Sequence, residues 1–260
     1  MESTDAFTLE NVEKIYGEMK AISPLSLDIK QGEVTAIIGP SGAGKTTLLN
    51  MLSTIETPDH GTIRIAEKRT SEYRNPKVLA KKVGIIRQQF DLVGSLPVIH
   101  NVLVGRFTDW GFWKSFWSFF FPQEKDIALQ ALQRVGLAAK MYDRTSKLSG
   151  GEQQRVALAR LLVQHPEIIL ADEPVSSLDP ARAEDIIRIL AQFVKEKNQT
   201  LVASLHSVEL ARNYFDRIIA LREGKVYFDQ RAADVSDADL TNLYQLTELN
   251  EHADQTPPLS

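Results

Sequence analysis

One stretch limits what this chain can fold into more than any other. Val34, Ala36, Ile37 and Ile38 form a short apolar run, and Gly39-Pro40-Ser41-Gly42-Ala43-Gly44-Lys45-Thr46-Thr47 follows it. Leu48, Leu49, Met51, Leu52 and Ile55 then recur at helical spacing. The pattern predicts a buried strand, a tight glycine loop and a helix. The loop fits G-x-x-x-x-G-K-[ST], a spacing with a physical reason behind it. Glycines let successive backbone N–H groups turn inward around phosphate oxygens, and the new helix aims its positive end at them. Lys45 then reaches the β- and γ-phosphates, and Thr46 offers a hydroxyl to Mg²⁺. Gly39, Ser41, Gly42, Ala43, Gly44, Lys45, Thr46 and Thr47 are the residues expected to cradle the phosphates. A glycine turn that merely carries a lysine would need neither the strand before it nor the helix after it. The expected ligand is a nucleotide.

Bulk properties narrow the remaining classes. The 260 residues can bury a large core, as one big α/β domain or two smaller ones. A net charge of −4 gives no basic footprint for nucleic acid. Without cysteine, disulfides and thiolate metal sites are excluded, which is consistent with a reducing cytoplasm. Residues 1–10 are polar and acidic, unlike a signal peptide. No apolar run approaches the ~18 residues that a membrane helix needs.

Residues 7–16 read as a strand ending at Gly17, and Leu25, Leu27 and Ile29 alternate with Ser26, Asp28 and Lys30 in a strand with one wet face. Pro58-Asp59-His60-Gly61 turns the chain into a further strand over 62–65. A one-sided strand ahead of a fully buried one predicts an antiparallel layer beside a parallel core. A short strand over 83–86 is followed by Gln88-Gln89, and 124–135 reads as an amphipathic helix closed by Gly136. Val156, Ala159, Leu162 and Val163 mark another helix, which His165-Pro166 ends. Strands over 168–171, 200–204 and 217–221 then alternate with helices opened at Asp179-Pro180 and around Val208, an alternating β/α second half. Glu223-Gly224 is a hairpin turn, 236–246 a terminal helix, and the last dozen residues, with Pro257-Pro258, a disordered tail.

Residues 107–121 hold all three tryptophans and six of the eleven phenylalanines, too many to be incidental. Phe112, Trp113, Phe116, Trp117 and Phe120 follow helical spacing. They either pack into a core or form an exposed patch for a partner or a membrane surface. The run is too short to span a bilayer and ends at Pro122.

A phosphate loop needs a second metal support and a way to position water. Asp172 stands just past the apolar run 168–171, where open parallel sheets place their ligands. It is expected to support Mg²⁺, and Glu173 to orient or deprotonate the attacking water. Adjacent acids can also cap a helix, but beside a phosphate loop they are its natural complement. Ser149-x-x-Glu152 within Leu148-Ser149-Gly150-Gly151-Glu152-Gln153-Gln154-Arg155 reads locally as a capping box.

Taken in order, the phosphate loop, Gln88, the segment 148–155, Asp172-Glu173, Ser177-Leu178-Asp179 and His206 resemble an ATP-binding cassette (ABC) transporter ATPase over about residues 7–245. The resemblance implies an α/β chain with the P-loop NTPase ABC ATPase fold: a mainly parallel RecA-like core sheet, an antiparallel β layer and an inserted α-helical subdomain. One domain would span 1–248, with a catalytic core over 1–88 and 167–248, a helical subdomain over 89–166 and a tail over 249–260. It implies ATP and Mg²⁺, the metal held by Thr46, Asp172 and Gln88. Catalysis would fall to Glu173, His206, Gln88 and Lys45, with Gln88 reaching metal and water and His206 the γ-phosphate. Ser149, Gly150, Gly151 and Glu152 would close the nucleotide of a second subunit in a head-to-tail homodimer that Asp179 bridges. Tyr16 matches the aromatic that stacks on the base, a contact that tolerates any base. No Asn-Lys-x-Asp guanine motif occurs. Two positions depart from the common pattern: Glu152 stands where many relatives have glutamine, and Arg87 where an apolar residue often precedes the glutamine. The frame of 83–86 favours Gln88 over Gln89.

Gln88-Gln89-Phe90-Asp91-Leu92-Val93, the tract from Asn101 to Ser115, Ser204-Leu205-His206-Ser207-Val208 and the stretch from Tyr214 to Gly224 resemble the phosphonate-import branch. That resemblance implies a cargo of phosphonate or a related small oxyanion, with phosphite, phosphate or an amino acid as alternatives. It implies integral membrane permease subunits, an extracytoplasmic substrate-binding protein, no nucleic acid, and a place on the cytoplasmic face of the membrane held through the permease. Residues 107–121 fall in the region where a permease helix would dock. A non-transport ABC ATPase is the remaining alternative, although no paired cassette, coiled-coil insertion or basic arm is present.

Overall fold

Every residue of β3 (Val34–Ile38) is buried, and its side chains divide between two cores as strand alternation requires. Ile37 faces one; Val34, Ala36 and Ile38 face the other. The computed structural model describes residues 5–87, 90–120, 122–176 and 178–244, and of Phe112, Phe119 and Phe120 the backbone only. β3 lies inside a six-stranded sheet together with β6 (Val83–Ile86), β7 (Ile168–Asp172), β8 (Thr200–Ser204), β9 (Arg217–Arg222) and β10 (Lys225–Arg231), in the order β10-β9-β3-β8-β7-β6. All pairs are parallel except the β9–β10 hairpin. β7 and β8 are also buried throughout, as a sheet covered on both faces requires.

The expected antiparallel layer is a separate four-stranded sheet. β1 (Asp5–Tyr16), β2 (Met19–Lys30), β4 (His60–Ile65) and β5 (Lys68–Arg69) pair in the order β2-β1-β4-β5. In β2, Leu25, Leu27 and Ile29 are buried and Ser26, Asp28 and Lys30 exposed, the alternation read from the sequence. Helix α1 (Lys45–Leu52) lies between the two sheets, where its Leu48, Leu49, Met51 and Leu52 pack with Phe7, Ile29, Ile37, Ile65 and Leu170.

Helices cover the other face. A helix α2 (Pro76–Lys82), capped by Asn75, precedes β6; neither it nor α3 (Val98–Leu103) follows from the sequence pattern. Between β6 and β7 lie α3, α4 (Phe112–Phe120), α5 (Lys125–Arg134) and α6 (Gly150–Gln164). α7 (Pro180–Lys197) and α8 (Val208–Tyr214) fill the later crossovers. α7 opens as expected: Asp179 accepts a hydrogen bond from the Arg182 backbone N–H at 3.1 Å, with Pro180 next. His165, in the left-handed region, ends α6, and Glu223-Gly224, both at positive φ, turn β9 into β10. A last helix runs over 237–244; its expected continuation to 246 and the proposed tail lie outside the described residues.

The aromatic tract divides. Trp110 is buried, its indole N–H donating to Glu124, whose carboxylate also accepts from Arg106 and Lys114. Phe107 packs beside it with ring centroids 5.8 Å apart. On α4, by contrast, Trp113 is 72% exposed, Trp117 54% and Phe116 49%, so some rings of the tract pack inward and others stand at the surface.

Candidate functional site

Parallel strands present their carboxyl ends on one edge, and here three of them deliver the chemistry. β3 ends just before Gly39, β7 at Asp172 with Glu173 next, and β8 at Ser204, with His206 two residues later. The loop after β3 is walled by main chain from distant segments. A Cβ on Gly39, at φ +150°, would sit 2.1 Å from the Leu221 carbonyl oxygen, and one on Gly44, at φ +100°, 2.6 Å from that of Ala21. The Gly224 N–H donates to the Ala43 carbonyl at 3.2 Å. Gly39→Ala is therefore expected to cost about 1–3 kcal/mol from backbone strain, with the carbonyl clash added. Gly42→Ala, with nothing within 4 Å of the new methyl, carries only the strain of its φ of +75°. Urea unfolding of the two variants measures the difference; equal midpoints would refute the clash.

Lys45, the first residue of α1, is 5% exposed and donates from Nζ to the carbonyls of Gly39 at 2.8 Å and Pro40 at 3.0 Å. Burial pushes its ammonium below the usual lysine range, while Glu173 and Asp172 act in the opposite direction. Thr46 donates from Oγ1 to Asp172 Oδ1 at 3.2 Å, so the two expected metal supports stand side by side. They form an all-oxygen donor set, which a hard divalent cation such as Mg²⁺ takes when phosphate oxygens supply the rest. Glu173 sits at φ +46°, a left-handed conformation unusual for a residue with a side chain. Its Oε1 lies 2.6 Å from His206 Nε2, so an ionised Glu173 places the ring proton on that nitrogen. The cleft in front of the loop, about 620 Å³, is lined by Tyr16, Ser41, Gly42, Ala43, Gly44, Lys45, Thr46, Thr47, Glu173 and His206 among others.

Tyr16 is 40% exposed at one wall. Its hydroxyl donates to Glu56, and partial burial with that carboxylate pushes its pKa up to about 12. The Lys14 ammonium lies 5.3 Å from the ring centroid, over one face. Ser149, Gly150, Gly151, Glu152 and Asp179 do not line this cleft. Ser149 caps α6 in a full capping box: its Oγ accepts from the Glu152 N–H, and Glu152 Oε2 accepts from the Ser149 N–H at 3.0 Å. Glu152 also pairs with Lys140 at 2.5 Å, which holds its carboxyl below the usual range. A Cβ on Gly150 would meet nothing within 4 Å. Gln88 and Ser177 lie outside the described residues.

Two residues make contacts to which the sequence reading gave no role. Ser204 is fully buried; its Oγ donates to Asp172 Oδ1 at 2.8 Å and accepts from the Glu173 N–H at 2.8 Å. Arg160, on α6, donates to the carbonyls of Phe90 and Asp91 at 2.9 and 3.0 Å, directly after Gln88-Gln89.

Comparison with known proteins supplies a family. Residues 22–176 match the family model described as ABC transporter. A phosphonates import ATP-binding protein, PhnC 1, of Nostoc sp. is 42% identical over 248 residues, covering 94% of this chain and 94% of its own. The phosphonates import ATP-binding protein PhnC of Thiobacillus denitrificans is 41% identical over 92% of this chain and 93% of its own. Among solved structures, the dimeric ATP-binding cassette MJ0796, in a post-hydrolysis state bound to ADP and Pi, superposes with a TM-score of 0.75. It shares 33% identity over 87% of this chain and 98% of its own. The ADP conformation of the cassette MJ1267 gives 0.77 at 25% identity over 98% and 100%.

Proposed function

This chain belongs to the ABC transporter family, and we propose that it is the ATP-hydrolysing subunit of an importer whose cargo is a phosphonate or a related small oxyanion. The observation that carries the ATPase reading is the meeting of Lys45, Thr46, Glu173 and His206, from three strand ends, in one cleft, with Asp172 bonded to Thr46. The loop amides and Lys45 would hold the β- and γ-phosphates, and Tyr16 the base. Thr46 and Asp172, joined by Gln88 on the family resemblance, would hold Mg²⁺, which when bound neutralises phosphate charge. Glu173 would take a proton from water as its oxygen attacks the γ-phosphorus and ADP leaves. His206 would orient Glu173 and reach the γ-phosphate.

Because the Ser149-Gly150-Gly151 turn stays away from its own cleft, it is free to close the cleft of a twin. An N-terminus of a 15-residue helix suits that role through its N–H groups and dipole. The solved cassette captured as a dimer with ADP and Pi supports pairing of two copies. Asp179 would bridge the two copies. Within each copy, residues 1–88 and 167–248 would act as the catalytic core and 89–166 as the helical subdomain.

The cargo rests on the phosphonate importers at about 40% identity. No helix among the described residues is long and apolar enough to cross a membrane. On the importer reading, permease subunits would hold the chain at the cytoplasmic face and cover the exposed rings of α4, and an extracytoplasmic binding protein would deliver the cargo. The test is reconstitution with those subunits and measurement of ATPase stimulation. Phosphonates are expected to stimulate, with phosphite or phosphate weaker. Stimulation by an amino acid alone would overturn the cargo, and stimulation by nucleic acid without the permease would overturn the transport role.

A further inference from the structure

We infer that Ser204 is a positioning residue for hydrolysis, whose single hydroxyl sets the two adjacent carboxylates Asp172 and Glu173 against each other; this rests on the ATPase reading above. Asp172 and Ser204 are register partners on the parallel strands β7 and β8, so their side chains leave the sheet side by side. A serine hydroxyl has one proton, and here its use is fixed. The Glu173 N–H can only donate, so Oγ accepts from it, and the hydroxyl proton goes to Asp172 Oδ1. Both distances are 2.8 Å and Ser204 has no exposed surface, so water does not compete for either bond.

The two bonds act on different things. The bond to Asp172 orients the carboxylate that also accepts from Thr46. The bond from the Glu173 N–H holds the main chain where it enters its left-handed turn at φ +46°, a conformation that persists only when its surroundings fix it. The turn aims the Glu173 side chain, which His206 meets at 2.6 Å from the same strand end. Between them Leu205 is buried and donates from its N–H to the Ile37 carbonyl at 3.0 Å, anchoring the segment to β3. Ser204 thus grips Glu173 by its backbone and His206 by its side chain.

Losing a hydrogen bond that orients a reacting carboxylate typically costs about 10–100-fold in rate. Ser204→Val and Ser204→Thr are nearly isosteric and differ chiefly in the hydroxyl, so most of any crowding in the buried site cancels between them. The Val variant is expected to lose about 10–100-fold in kcat, with KM for ATP within about twofold of the parent. The Thr variant is expected to recover most of kcat. ATP binding measured in EDTA, where no turnover occurs, is expected to be the same for both. In a Glu173→Gln background, adding Ser204→Val is expected to cost less than it does alone, because of the two carboxylates it positions only Asp172 remains. Equal kcat for the Val and Thr variants, a loss confined to KM, or full additivity with Glu173→Gln would each overturn the role. Normal turnover by Glu173→Gln alone would instead overturn the underlying assignment of the base.

Discussion

Glu173→Gln is expected to bind ATP with parent affinity, lose about 10²–10⁴-fold in turnover, and accumulate as an ATP-bound dimer. The amide fills the same space but cannot take a proton from water. Its carbonyl oxygen still accepts from His206, so the contact at 2.6 Å need not be lost. Nucleotide then stays as ATP, and if two copies close on two ATP molecules, nothing reopens them. Size-exclusion chromatography with and without ATP, beside single-turnover phosphate release, checks both halves. A variant that stays monomeric at saturating ATP would remove the shared-site arrangement. One that turns over normally would remove Glu173 as the base.

Lys45→Ala is expected to lose about 10–150-fold in ATP affinity, from about 1.5–3 kcal/mol for a charge-assisted contact to phosphate. A second loss adds to it. Lys45 Nζ ties the carbonyls of Gly39 and Pro40, so its removal unclips the loop from within. Lys45→Arg should not rescue binding, because a planar guanidinium cannot replace a compact ammonium in a pocket only 5% exposed. Isothermal titration with ATP decides this, and parent affinity in the Ala variant would remove Lys45 from the phosphate site.

What could be read in the chain was what repeats or sits close together. The phosphate loop is contiguous, and its strand and helix declare themselves by burial period, as β3 and α1 show. The alternation of Leu25, Leu27 and Ile29 marked a one-sided sheet. Asp172 and Glu173 were legible because they end an apolar run. Ser204 was not: a serine closing a strand carries no local pattern, and its role exists only through the β7–β8 register. Arg160 was hidden for the same reason, since its partners are carbonyls of a loop far along the chain. Helices α2 and α3 are too short for a full amphipathic period to register. In the aromatic tract, spacing could not sort the rings. Trp110 is buried because Glu124 supplies its indole partner, a contact between two turns rather than along one helix.

The main-chain walls around the phosphate loop carry one more consequence. With Leu221, Ala21 and Gly224 shaping the loop from three sides, the loop keeps its form through its neighbours and does not wait for ligand to fold it. Little ordering entropy is then lost on association, so affinity tracks the quality of the phosphate contacts themselves. The same scaffold means that the β9–β10 turn, whose Gly224 N–H holds the Ala43 carbonyl, helps to set how tightly a phosphate is held.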